Sequence, residues 1–422
     1  MNGGHHVVWA AQPRTEPRAQ RPEEAGRGPQ HPGASVSVCA AGASRGSTGG
    51  GRYDPTDSAA SAASSWNGHI ALTHSCLGSS PRLPGAVRGC ATLDFGSDFL
   101  DAVLGAEGFF MPLDPLYAGI RDYRVTTGFT PLYTMSVDRA RVADRETEAE
   151  IWDWVKEPEE VFDFDIDGPA GPLTLRAYRP QRENDDPLPV VVYFFGGGWV
   201  VGSLDTCEAI CRAVASLTPC VVVSVGYRLA PEHPFPAAID DCYAAVRWVG
   251  EHASELGADP ARIAVAGDSS GGNLAAVMAL MARDKGGPTV SAQVLVYPPT
   301  RNDATTRSMS DNVDPMFFNA KSSAWFWEHY LADPADGESP YASPAKAADH
   351  SGLPPALLLT AEYCPLYDEG EEYAKMLSRA DVPVEFHPHK DLPHGFLQLS
   401  AVLETSRNAM RLIADFLRRR LG

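Results

Sequence analysis

The chain has 422 residues, of which 44% are hydrophobic and 21% charged, enough apolar material for one large domain or two small ones. Its formal charge of −19 argues against a surface that binds nucleic acid or an anionic membrane. Its 8 cysteines show no C-x-x-C pair and no metal-ligand spacing, and no dinucleotide or Walker-type glycine motif occurs, so we expect neither a metal nor a cofactor.

Residues 1–90 differ in composition from the rest of the chain. They are crowded with Gly, Ser, Ala, Pro and Arg and have too few apolar residues to offset the entropy of ordering. We therefore predict a disordered tail over 1–90 and one domain over 91–422. The chain lacks the basic-then-apolar start of a signal peptide and any run of ~20 apolar residues that could span a membrane. We expect a cytoplasmic protein without a membrane span.

Short helical pieces interrupted by prolines follow the tail, up to about residue 150. Such pieces fit poorly inside a sheet, so we predict that they lie over one as a cap. Two alternating segments come next, at 161–166 and 173–178, with a glycine-rich turn between them. This pattern predicts an antiparallel strand pair.

Further short apolar runs follow, most of them separated by helical segments. They lie at 190–195, 221–225, 263–266, 293–297, 356–360 and 384–386. Strand–helix alternation of this kind predicts an α/β protein with a mostly parallel central sheet flanked by helices. The last segment, 401–421, is predicted to be an amphipathic helix.

A G-x-S-x-G pattern at 267–271 joins the apolar run that ends at Ala266 to a helical segment over 273–283. This strand–turn–helix bend is typical of a nucleophile elbow, in which the glycines leave room for a serine held on a tight turn. The pattern makes Ser269 the candidate nucleophile. The neighbouring Asp268 is interpreted as a hydrogen-bonding residue of the loop and not as a catalytic acid.

Two other segments could serve this serine. Glycines at 196–198 directly follow a strongly apolar strand, where their N–H groups could stabilise an oxyanion. His394 lies in a loop late in the chain, after the last predicted strand, where a general base would be expected. The nearby His387 and His389 are predicted to be surface residues.

From about residue 160 to its end, the sequence resembles the hormone-sensitive-lipase family of α/β-hydrolases, the bacterial type IV esterases. The matching motifs are FGGGWVVG (195–202), YRLAPEHPFPA (227–237), GDSSGG (267–272), WFWEHYL (325–331), AEYCPLYDEG (361–370) and HGF (394–396).

The resemblance implies an α/β-hydrolase fold that acts on a small-molecule ester. By this resemblance, Ser269 is the nucleophile and His394 is its base. The N–H groups of Gly197, Gly198 and Ser270 would form the oxyanion hole. The cap would consist of about 92–158 together with part of 299–343. The resemblance is also compatible with a homodimer.

Two positions depart from the family pattern. Phe195 stands where the family begins its glycine loop with a histidine, and Cys364 stands at the position of the triad acid. A neutral thiol is a weak partner for an imidazolium, and losing the acid costs serine proteases about 10⁴-fold in turnover. Three alternatives remain: a different carboxylate replaces the acid, Cys364 ionises beside His394, or rapid hydrolysis has been lost. The candidate carboxylates are those of Glu362, Asp368 and Asp391.

The sequence thus favours an esterase-type hydrolase with a Ser269–His394 dyad and a degraded triad. A non-hydrolytic lyase or cyclase of small-molecule biosynthesis is the first alternative, and a ligand-binding pseudo-hydrolase is the second. The intact elbow argues against a pure binding protein. The aromatic residues Trp325, Trp327 and Tyr330 could line an acyl pocket or form the core of the cap.

Overall fold

The computed structural model describes residues 112–146, 154–181 and 184–422. These residues fall within the compact unit Leu93–Gly422. The tail predicted over 1–90 and the first part of the predicted cap lie outside the described residues. Among the helices of the described ranges, none is long and apolar enough to cross a lipid bilayer.

Eight strands form one sheet, and every strand predicted from the sequence is present. The strands are β1 (Glu160–Gly168), β2 (Gly171–Arg179), β3 (Leu188–Phe194), β4 (Val221–Val225), β5 (Ala258–Asp268), β6 (Ala292–Val296), β7 (Ala356–Tyr363) and β8 (Val384–Pro393). Their spatial order is β1-β2-β4-β3-β5-β6-β7-β8. Strand β2 pairs antiparallel with both β1 and β4, and all other pairs are parallel. The predicted α/β-hydrolase fold with a mostly parallel sheet is confirmed.

The helices of the described residues connect these strands or cover the sheet. They are α1 (Pro115–Thr127), α2 (Val137–Glu146), α3 (Glu208–Leu217), α4 (Ala237–His252), α5 (Ser270–Lys285), α6 (Arg307–Asp311), α7 (Ala320–Tyr330), α8 (Tyr367–Arg379) and α9 (Glu404–Leu421). Strands β4 and β6 are buried along their whole length, which explains why their sequences are continuous apolar runs and do not alternate.

Three details differ from the sequence-based expectations. Helix α5 begins at Ser270 and not at residue 273, because the helix starts at the bend itself. Helix α9 begins at Glu404 and not at 401, since Leu403 is extended with φ −110° and ψ 118°. Strand β8 continues to Pro393, well beyond the predicted 384–386, so that it ends immediately before His394.

His387 and His389, expected at the surface, are both half-buried, and His389 has a packing contact. Its ring packs against that of Phe396 with 4.8 Å between the ring centroids. Burial lowers the pKa of His389 to about 4. This side chain therefore contributes to packing beneath the loop that follows β8.

Helix α1 and the segment between α6 and α7 contact each other directly. Arg121 Nε donates to Asp314 Oδ2 at 2.6 Å, and the rings of Tyr117 and Phe317 meet edge to face with centroids 6.3 Å apart. These contacts join two pieces of chain that are far apart in sequence.

Candidate active site

The bend between β5 and α5 holds Ser269 in a conformation with φ 54° and ψ −124°, which is uncommon for a residue with a side chain. The glycines around it are sterically required. A Cβ atom on Gly267 would lie 2.2 Å from the carbonyl oxygen of Gly271, and one on Gly271 would lie 1.9 Å from that of Phe194. The G-x-S-x-G pattern therefore reflects close backbone packing, and this packing fixes Ser269 at the carboxyl end of β5.

His394 lies beside this serine. Its Nε2 atom is 2.9 Å from Ser269 Oγ, a hydrogen-bonding distance, although 125 residues separate the two in sequence. His394 follows β8 immediately, and Gly395, with φ 80°, turns the chain away after it. The carboxyl ends of β5 and β8 thus bring together the serine and histidine that sequence order had selected.

Cys364, directly after β7, contacts the other ring nitrogen of His394. The distance between Cys364 Sγ and His394 Nδ1 is 3.1 Å, and the N–H of Leu366 also points to this sulfur, at 3.4 Å. The thiol is fully buried, and burial raises its pKa. Burial likewise lowers the pKa of His394 to about 3. The imidazole and the thiol are therefore both neutral at pH 7.

Two of the three carboxylates that the sequence offered as replacements are engaged elsewhere. Asp368 Oδ2 accepts from the N–H of Ser308 at 2.7 Å, and Glu362 Oε2 accepts from the N–H of Asp391 at 3.0 Å. Within the described part of the chain, the ring nitrogens of His394 contact only Ser269 and Cys364. The side chains of Glu362, Asp368 and Asp391 are not brought to His394.

The glycine loop after β3 lies beside the serine and exposes its backbone. Gly197 and Gly198 have φ values of 119° and 59°, and a Cβ on Gly197 would lie 2.3 Å from the carbonyl oxygen of Val201. The N–H groups of Gly197, Gly198 and Ser270 have no acceptor among the described residues. Ser270 is the first residue of α5, where an N–H group has no partner within the helix. This arrangement can receive an oxyanion.

Asp268 anchors that loop. Its Oδ1 atom accepts from the hydroxyl of Tyr193 at 2.7 Å and from the N–H of Gly196 at 3.1 Å. Burial raises its pKa, and the hydrogen bonds from Tyr193 and Gly196 oppose that effect. Asp268 thus has the hydrogen-bonding role in the loop that its sequence position indicated.

Phe195 is part of the packing of the glycine loop. Its ring stacks on that of Tyr227 with 4.2 Å between the centroids, and the Tyr227 hydroxyl donates to the carbonyl oxygen of Phe195 at 2.8 Å. At this position the loop is braced by aromatic stacking and by a hydrogen bond to its backbone.

A cavity of about 330 Å³ opens over Ser269 and His394. Its other walls come from the glycine loop, α1 and the loop after it, α7 and the segment before α7, including Tyr117, Phe129, Phe317, Phe318 and Phe326. Aliphatic residues such as Ile120, Leu132 and Val201 also line the cavity. Pockets of this size and composition accommodate small organic molecules.

Trp325, Trp327 and Tyr330 of the WFWEHYL motif (325–331) do not form part of the cavity wall. Trp327 and Tyr330 are buried, and the ring of Tyr330 stacks on that of Trp199 with centroids 4.1 Å apart. The sequence left open whether these residues line an acyl pocket or form the core of the cap. Their contacts favour a role in packing.

Asp144 was not selected by sequence reasoning, although it lines the cavity. Its Oδ2 atom accepts from the N–H of Gly202 at 3.1 Å, and burial raises its pKa to about 6. No sequence pattern pointed to this residue, because its partner lies 58 positions away. Over the described ranges, no group of three or more His, Cys, Asp or Glu side chains is arranged to hold a metal ion.

Comparisons with known proteins identify the family to which the chain belongs. Residues 191–398 match a family model described as the alpha/beta hydrolase fold. Esterase LipI of Mycobacterium tuberculosis is 46% identical over 252 residues, which are 59% of this chain and 78% of that protein. Carboxylesterase NlhH of the same species is 42% identical over 300 residues, which are 70% of this chain and 92% of that protein.

A solved structure gives the same result in three dimensions. A hyperthermophilic esterase from the archaeon Pyrobaculum calidifontis superimposes with a TM-score of 0.70 at 42% identity, over 73% of this chain and 99% of that one. These matches extend over nearly all of the NlhH and Pyrobaculum chains. The chain belongs to the carboxylesterase-like, hormone-sensitive-lipase-related family of the α/β-hydrolase fold.

Proposed function

We propose that this protein is a serine-dependent carboxylic ester hydrolase in which Ser269 and His394 act as a dyad. The observation that carries the proposal is the 2.9 Å distance between Ser269 Oγ and His394 Nε2 beside an aromatic cavity. The names of the relatives, an esterase and a carboxylesterase, support the same reaction class.

In the proposed reaction, the neutral imidazole takes the hydroxyl proton of Ser269 as Oγ attacks the ester carbonyl carbon. The N–H groups of Gly197, Gly198 and Ser270 stabilise the negative oxygen that results. The alcohol leaves with the proton from His394 Nε2, and an acyl-serine remains. Water, activated by the same imidazole, then releases the carboxylic acid and restores Ser269.

Cys364 holds the acid position without supplying its charge. A carboxylate would bind the Nδ1–H tautomer of His394, leaving Nε2 free to accept the proton from serine. A neutral thiol can accept from Nδ1–H, but it can also donate to Nδ1 and favour the unproductive tautomer. We therefore propose that turnover is slower than with a complete triad. In serine proteases, loss of the triad carboxylate lowers kcat by up to about 10⁴-fold.

The substrate we propose is a small ester. The cavity of about 330 Å³ lies near the lower end of the range for ligand pockets, and several aromatic side chains contribute to its walls. We further propose that α1, α2 and the segment from β6 to α7 form the cap predicted from sequence. The contacts between Arg121 and Asp314 and between Tyr117 and Phe317 support this assignment.

The test is hydrolysis of p-nitrophenyl acetate and butyrate, together with labelling by a fluorophosphonate probe. We expect the wild type to react with the probe at one site and to turn over the esters. Ser269→Ala should lose both properties, since it removes the nucleophile. Ser310→Ala, an exposed serine on α6, should retain both. Labelling without ester turnover would instead favour the non-hydrolytic lyase or cyclase, and a chain that does neither would contradict an enzymatic role.

A further inference from the structure

The imidazole of His394 is contacted by two aromatic rings from different parts of the fold. The ring of Phe318 stacks on it with 4.2 Å between the centroids and an interplanar angle of 25°. The ring of Tyr297 lies 4.6 Å from it at 54°. Phe318 lines the cavity, whereas Tyr297 is fully buried and does not line it.

We propose that Phe318 and Tyr297 form an aromatic clamp that keeps the His394 imidazole in its productive orientation and stabilises the imidazolium formed during attack on the ester. The clamp would take over part of the role that a carboxylate has in a complete triad. This inference rests on the proposed function, because it requires that His394 act as the base for Ser269.

Tyr297 provides the inner half of the clamp and is rigidly held. It follows β6 directly, is fully buried, and its N–H donates to the carbonyl oxygen of Leu359 at 2.7 Å. Its φ of 37° is rare for a large side chain, and such conformations persist only where the surrounding structure imposes them. Its ring also meets that of Phe396 edge to face, with centroids 5.3 Å apart. The Tyr297 ring is therefore held beside His394 before substrate binds.

Phe318 provides the outer half, and the start of α7 fixes its backbone. The next residue, Asn319, caps that helix by accepting from the N–H groups of Lys321 and Ser322. The side-chain amide of Asn319 also donates to the carbonyl oxygens of Asp314 and Phe317. The Phe318 ring is thereby held against His394 on the side that faces the cavity.

Two physical effects follow from this arrangement. Stacking restricts rotation of the imidazole, which Cys364 holds only through a weak sulfur hydrogen bond. When His394 becomes protonated, the negative face of a neighbouring ring attracts the new positive charge. A buried cation–π contact corresponds to a rate effect of roughly 5- to 30-fold. A carboxylate at position 364 would supply both effects and make the clamp largely redundant.

This redundancy gives a sharp test, a double-mutant cycle on p-nitrophenyl butyrate hydrolysis. Phe318→Leu in the wild type should lower kcat by roughly 5- to 30-fold. In the Cys364→Asp background the same change should lower kcat by about 3-fold or less, since the two supports are coupled. Phe318→Tyr, which keeps an aromatic face, should stay within about 3-fold of the parent protein in each background.

Phe317→Leu is the matched control. Phe317 is the adjacent aromatic residue and lines the same cavity, but its ring contacts that of Tyr117 and not that of His394. Any loss it causes should have the same factor in both backgrounds, because it does not act through the histidine.

Equal losses from Phe318→Leu in the two backgrounds would overturn the clamp and reduce Phe318 to a residue of the cavity wall. An unchanged kcat with a raised KM would overturn it as well. Failure of the proposed function would give a different result, because the wild type would then show no ester turnover that depends on Ser269. Because the cycle is read on kcat in proteins that still react with a fluorophosphonate, a folding defect cannot be mistaken for either result.

Discussion

The Sγ atom of Cys364 lies 3.1 Å from Nδ1 of His394, at the position where a Ser-His-Asp triad has a carboxylate. The N–H of Leu366 points to the same sulfur from 3.4 Å. One backbone N–H group and one imidazole nitrogen thus converge on a buried thiol whose pKa burial raises. The site has the spatial arrangement of a triad but lacks its negative charge, and several expectations follow from that difference.

Replacing Cys364 with aspartate should raise kcat/KM for p-nitrophenyl butyrate by about 10²-fold or more. The new carboxylate would find Leu366 N–H and His394 Nδ1–H in place as donors. It would select the productive tautomer and stabilise the imidazolium. Steady-state kinetics of Cys364→Asp and wild type, measured side by side, check this gain.

Cys364→Ala is the control for that substitution. It removes the thiol without adding charge, so its kcat/KM should remain within roughly 10-fold of the wild type. If Cys364→Asp gave no gain while Cys364→Ala lost about 10³-fold or more, the thiol itself would be the working acid and the dyad proposal would be wrong.

The pH dependence of kcat/KM should also differ between these proteins. His394 must be neutral to accept the proton, so activity is lost as the pH falls through its pKa in the free enzyme. Burial lowers that pKa to about 3, and the wild type should therefore stay active far below the range in which an ordinary histidine protonates. Short pH-jump assays limit the time that the enzyme spends in acid.

In Cys364→Asp the acidic limb of this profile should move to higher pH, because a nearby carboxylate favours the imidazolium and raises the pKa of His394. An acidic limb near about 6.5 in the wild type would mean that a negative group already supports the histidine. That result would contradict the assignment of a neutral Cys364 as its partner.

Substitutions of Asp268 should show that this residue anchors the oxyanion loop and does not act as a triad acid. Asp268→Ala removes the acceptor of the Tyr193 hydroxyl and the Gly196 N–H, and we expect kcat to fall by about 10-fold or more. Asp268→Asn keeps a carbonyl oxygen for these donors and should lose less. The acidic limb of the pH profile should not move in either variant, and a shift in it would argue for direct electrostatic contact with His394.

Gly271→Ala should destabilise the elbow. The added Cβ would lie 1.9 Å from the carbonyl oxygen of Phe194, and overpacking of this kind costs about 1–3 kcal/mol or more. Gly119→Ala is the matched change, since that glycine lies within α1 and its Cβ would have no neighbour within 4 Å. It should be neutral or stabilise helix α1 by about 0.5–1 kcal/mol. Thermal unfolding followed by circular dichroism compares the two, and equal melting temperatures would contradict the steric explanation.

Much of this molecule could be predicted from local sequence patterns. Continuous apolar runs indicated strands buried on both faces, and the glycines at 267 and 271 indicated a tight bend around Ser269. The late position of His394 and the occurrence of cysteine at position 364 could be read from the family motifs. These features are accessible because each depends on a few neighbouring residues whose steric or apolar character is visible in the sequence.

Only the tertiary structure decided which of these groups meet. It brings Cys364 to His394 while Asp368 and Glu362 bind backbone N–H groups elsewhere, and it stacks Phe318 and Tyr297 on the imidazole. These contacts depend on strand order and register, and on how the segment before α7 lies over the sheet. Phe318 and Tyr297 lie far from His394 in sequence and become its neighbours only through the tertiary fold, so no local pattern could indicate them.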